Sequence, residues 1–90
     1  GKRTQDSVVF KGVAGETVTL TAQIASGWET AQPYVEVLQN GNSLAYETLS
    51  GDAVYRIEVT VPESGIVSVM VSDYSDGPTV VELHLLRPGE

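Results

Sequence analysis

Three groups of residues in this 90-residue chain have the type and spacing to do chemistry. His84 is the sole histidine, and in the run VVELHLL it shares a strand phase with Glu82, opposite Val81, Leu83 and Leu85. An imidazole beside a carboxylate is part of a catalytic triad, but none of the serines sits in a G-x-S-x-G context. The plain reading is a surface histidine on a strand, and no enzymatic activity is expected. Asp73 and Asp76, beside Gly77, offer oxygens to a calcium ion, which takes ~6–8 such ligands from flexible loops. Aspartate is also favoured in turns for its own sake. With no H-E-x-x-H, EF-hand or paired-carboxylate spacing in the chain, no metal or other cofactor is assigned. Trp28 lies in the polar loop SGWETAQPY. Exposed, with Tyr34 or Tyr74 beside it, the indole would stack on a sugar ring or anchor a protein interface, so Trp28, Tyr34 and Tyr74 are the candidate ligand-binding residues. Buried, it would cap one end of the fold.

The elements that must position these groups read as strands. Val18, Leu20, Ala22 and Ile24 alternate with Thr17, Thr19, Thr21 and Gln23, a period of two that marks a half-buried strand. A shorter run holds Val8 and Phe10, and Gly12 to Gly15 reads as the turn between the two. YVEVLQ at 34–39 meets Asn40-Gly41-Asn42, a hairpin signal because primed turns need positive φ at both centres, and SLAYET at 43–48 returns from it. Tyr55 to Val71 reads as a second hairpin about a Pro-Glu-Ser-Gly corner, with Tyr55, Ile57, Val59 and Val61 on one face. Its return run has Val67, Val69 and Val71 on one face and Ile66 and Met70 on the other, which places it centrally in a sheet. Thr79 to Leu86 closes the series. Tyr46 and Tyr55 keep step with apolar neighbours and are expected in the core.

Seven or eight short strands with turn residues between them predict an all-β domain, an antiparallel β-sandwich of jelly-roll-like or Ig-like kind. A single domain spanning 1–90, with its ordered core at about 7–86, fits the length. Twelve acidic against five basic residues give a net charge of -7. Phosphate-rich partners need a basic face, so neither nucleic acid nor an anionic membrane is expected as a partner. No apolar run approaches the ~20 residues of a membrane helix. There is no cysteine, which excludes disulfides and thiolate ligands but leaves the compartment open.

Four segments, Val8-Val-Phe10, Gly15-Glu-Thr-Val-Thr-Leu20, Val35-Glu-Val-Leu-Gln-Asn-Gly41 and Val59-Thr-Val-Pro-Glu-Ser-Gly65, resemble bacterial pre-peptidase C-terminal domains over roughly residues 7–86. Such domains are small jelly-roll-like sandwiches appended to secreted peptidases and other exported proteins, and some relatives bind collagen or polysaccharide. Val67 stands where the family has an aromatic, Ala31-Gln32 where an acidic pair near a calcium site is usual, and Val80-Val81 where a late tyrosine is found. The resemblance implies a noncatalytic accessory module, extracellular or periplasmic, that binds a protein or polysaccharide or packs on an adjacent catalytic domain. The alternative is a structural spacer or assembly domain pairing through an edge strand such as 34–39 or 43–48.

Overall fold

Alternating apolar and polar residues bury one face of each strand, and two such sheets cover each other's apolar face. In a computed structural model, which describes residues 4–26, 32–73 and 79–89, the strands are β1 (Thr4–Lys11), β2 (Thr17–Ser26), β3 (Tyr34–Gln39), β4 (Asn42–Thr48), β5 (Tyr55–Thr60), β6 (Ile66–Asp73) and β7 (Val80–Leu86). They form a four-stranded sheet in the order β1-β6-β3-β4 and a three-stranded sheet in the order β5-β2-β7, and every pairing is antiparallel. The chain is therefore a small β-sandwich. Relative to the immunoglobulin order, in which the first strand lies beside the second and the last beside the sixth, the two terminal strands have exchanged sheets.

The core is the inner phase of both sheets. Val18, Leu20, Ala22 and Ile24 of β2 and Ile57 and Val59 of β5 meet Val35 and Val37 of β3 and Val67 and Val69 of β6, with Leu49 and Val61 closing the ends. The β3–β4 hairpin turns as expected, with φ of 52° at Asn40 and 80° at Gly41.

Tyr55 to Val71, by contrast, is not a hairpin. Its two strands lie in opposite sheets, so the Pro-Glu-Ser-Gly corner is an arch across the sandwich. The reason lies in what the corner pairs with. Val61 donates its N–H to Glu16 O and accepts from Gly15 N, both at 2.9 Å, while Gly12 N donates to Gly65 O at 2.9 Å. The β1–β2 connection crosses between the same two sheets alongside it, and the two crossings satisfy each other's backbone. A side chain at Gly12 would lie 2.9 Å from Val61 Cγ2, and one at Gly65, where φ is +75°, would lie 3.3 Å from Gly12 O. Alternation cannot distinguish an arch from a hairpin, since both keep the period of two on either side of the turn.

The segment 34–39 is no edge strand, because β3 lies between β6 and β4. Tyr46 is not in the core: it is 66% exposed. The cause is a bulge where pairing passes from Val37↔Ala45 to Leu38↔Ser43, which leaves Leu44 unpaired and turns Ala45 and Glu47 inward instead of Tyr46.

One ion pair joins the end of β7 to the β1–β2 crossing. Arg87 donates from Nε to Glu16 Oε1 at 3.1 Å and from a terminal nitrogen to Oε2 at 3.3 Å. The guanidinium's hydrogen bonds hold the Glu16 carboxyl below its usual value. A depressed carboxyl stabilises the fold above its unfolded-state pKa, and the contribution fades as pH falls through the folded value. Glu16→Gln is accordingly expected to melt below the parent at about pH 7 and together with it at about pH 3, in thermal scans at matched salt.

Candidate binding surface

Cross-strand registers fix which side chains share the outer face of the four-stranded sheet. Val9 lies opposite Ser68, Ser68 opposite Leu38, and Leu38 opposite Ser43. In the next row Ser7 faces Met70, Met70 faces Glu36, and Glu36 faces Tyr46. Gln5, Ser72, Tyr34 and Thr48 form the row beyond, and Ile66 sits at the opposite end beside Lys11. Val9 is 65% exposed and Ile66 39%, while Leu38, Met70 and Tyr34 are half-buried. Apolar residues on all four strands thus lie diagonal to one another, with Tyr46 at one margin and Ser68 and Glu36 interspersed among them. Tyrosine and methionine are among the residues enriched at protein-binding surfaces.

Of the candidate ligand residues, Tyr34 is placed on this face, diagonal to Tyr46. Trp28 and Tyr74 lie outside the described residues, as does Asp76. Asp73 does not reach into solvent as a turn residue would; it ends β6 and is buried, 8% exposed. Next to it Ser72 is fully buried and its Oγ accepts from Gln5 Nε2 at 3.4 Å. Among the described residues no three carboxylates, histidines or cysteines converge as a metal site.

His84 faces outward as expected, 3.7 Å from Glu82 on the outer side of the three-stranded sheet. Its neighbours there are Thr21, across the ladder, and Arg56 beyond it. Arg56, Glu58, Glu82 and His84 are exposed on this face. Among the described residues, clefts lie against the strands. One of about 590 Å³ opens where the edges of β4 and β5 approach, between Leu44, Ala45, Val59, Val61 and Pro62, with Glu58 and Glu63 on its lip. A second, of about 460 Å³, lies among Thr17, Thr19, Arg56, Glu58 and Arg87. Neither lining includes a histidine or a serine.

Sequence reasoning missed this grouping because its strongest member, Tyr46, was in the wrong phase. One signal was present: Met70 and Ile66, apolar on the face opposite Val67 and Val69, already marked β6 as apolar on both sides. Compared with family models, curated proteins and solved structures, the chain matches none.

Proposed function

We propose that this domain is a noncatalytic accessory module that binds a protein surface, in a partner or an adjacent domain, through the outer face of its four-stranded sheet. The observation that carries the reading is the grouping on one face of exposed Val9, Ile66 and Tyr46 with half-buried Leu38 and Met70. The resemblance to pre-peptidase C-terminal domains agrees with a module of an exported bacterial protein acting at the cell exterior or in the periplasm. Aliphatic side chains dominate the grouping, which favours protein over sugar, since sugar rings want aromatic faces.

Tyr46→Ala discriminates. It removes an exposed ring and is expected to move stability by no more than about 0.5 kcal/mol, while weakening binding of a collagen-like triple-helical peptide about tenfold or more. NMR titration of the full chain reads both affinity and location, with shifts expected at Val9, Leu38, Tyr46 and Met70. Shifts on this face with cellohexaose and none with the peptide would transfer the proposal to polysaccharide. Binding that Tyr46→Ala leaves intact, or no shift on this face with either probe, defeats it.

A further inference from the structure

The two open edges of the three-stranded sheet differ. β5 is an edge strand, yet its inner residues Ile57 and Val59 are buried because β4 closes over them. β7 is the other edge, and its inner residues Val81, Leu83 and Leu85 are only half-buried. On the facing sheet the strand at that side is β1, whose inner-phase Val8 is 37% exposed. The sandwich is thus apolar and incompletely covered along the β1/β7 side, one strand short of four against four.

Sheet edges are commonly blunted. β4 has its bulge and the inward-facing Glu47, and β1 has Asp6 in the inner phase, opposite Val71. Within Val80–Leu86 there is no proline and no inward-facing charge, and among the described residues no strand pairs with the far side of β7.

We infer that β7 pairs antiparallel with β7 of a second copy, about a two-fold axis through Leu83. The strand VVELHLL is self-complementary about that residue. In this register Val81 lies opposite the partner's Leu85 and Leu83 opposite the partner's Leu83, so the inner row covers the open seam with apolar contacts. On the outer face Glu82 lies opposite the partner's His84, and the two-fold axis makes that contact twice. A shift of two residues breaks the complementarity, placing Glu82 opposite the partner's Glu82 in one direction and His84 opposite the partner's His84 in the other. The product is a continuous six-stranded sheet, β5-β2-β7 joined to its symmetry mate, an isologous and closed assembly. A pair of seven-residue strands buries little area, so the dimer is a weak one, with a dissociation constant on the order of micromolar or above. It uses the sheet opposite the proposed binding surface, and each reading stands without the other.

Charge exchange tests it on exposed side chains that the fold does not need. Inside one chain His84 faces Glu82, Thr21 and, past Thr21, Arg56. Sedimentation equilibrium of the full chain at about pH 6 should show a dimer. Glu82→His sets His against His and His84→Glu sets Glu against Glu, each weakening association about tenfold, because like charges directly opposite are destabilising and the contact occurs twice. The double exchange E82H/H84E restores the parent's association. Concentration-dependent NMR shifts should map to Val80–Leu86. A monomer at up to about 1 mM overturns the inference at the affinity expected of such a pair. So do single and double variants that associate equally, or shifts that map to Val9, Leu38 and Tyr46 instead.

Discussion

Val69→Asp is expected to leave the domain unfolded at room temperature. Val69 is 1% exposed, lies in the second strand of the four-stranded sheet, and pairs with Val8 on one side and Val37 on the other. Its neighbours across the sandwich are the apolar side chains of β2 and β5. An aspartate there finds no cation, and whether it stays charged or takes up a proton the burial costs several kcal/mol, in addition to the lost valine packing. A chain of 90 residues has roughly 5–13 kcal/mol of stability to lose. Circular dichroism and NMR dispersion read the result directly. A variant that melts like the parent would show that the inner face has been misassigned.

Leu20→Ala is the second large effect, and its size is the informative part. Leu20 is wholly buried in the middle strand of the three-stranded sheet, between Ile57 of β5 and Leu85 of β7. With both neighbours held in ladders, the cavity cannot collapse fully, and a loss of about 2–5 kcal/mol is expected, or a fall of roughly 10–25 °C in melting temperature for a domain of this size. Leu85→Ala, directly across the ladder but half-buried, should cost clearly less in the monomer. Urea titration of both variants compares them under one set of conditions. Equal losses would mean that the β7 side of the sandwich is as well covered as its centre.

How far the sequence discloses this molecule depends on what each signal is about. Periodicity reports which face of a strand is apolar, and it located all seven strands and the inner residues of β2, β5, β6 and β7. It is silent on which sheet a strand joins, and for that reason the Val61–Gly65 corner reads as a hairpin until its hydrogen bonds to Gly12, Gly15 and Glu16 are seen. Asn40-Gly41 is different, because a two-residue turn with positive φ at both positions leaves the chain no room to cross. The bulge at Leu44 carries no signal of its own in the sequence, and it alone moves Tyr46 from an expected core position to the outer face of the sheet. The same limit applies to the ligand candidates, of which Tyr34 is the one whose place on a sheet face follows from register.

The position of the two terminal strands has a mechanical consequence. β1 enters at the end of the sandwich where Thr4 faces Asp73, and β7 leaves at the opposite end, where Leu86 faces Thr19. Tension applied through the chain would therefore slide β1 along β6 and β7 along β2, loading each ladder's hydrogen bonds together instead of opening them one by one. Such a module, set in series between other domains, would resist extension in shear and yield at a rate governed by unfolding kinetics.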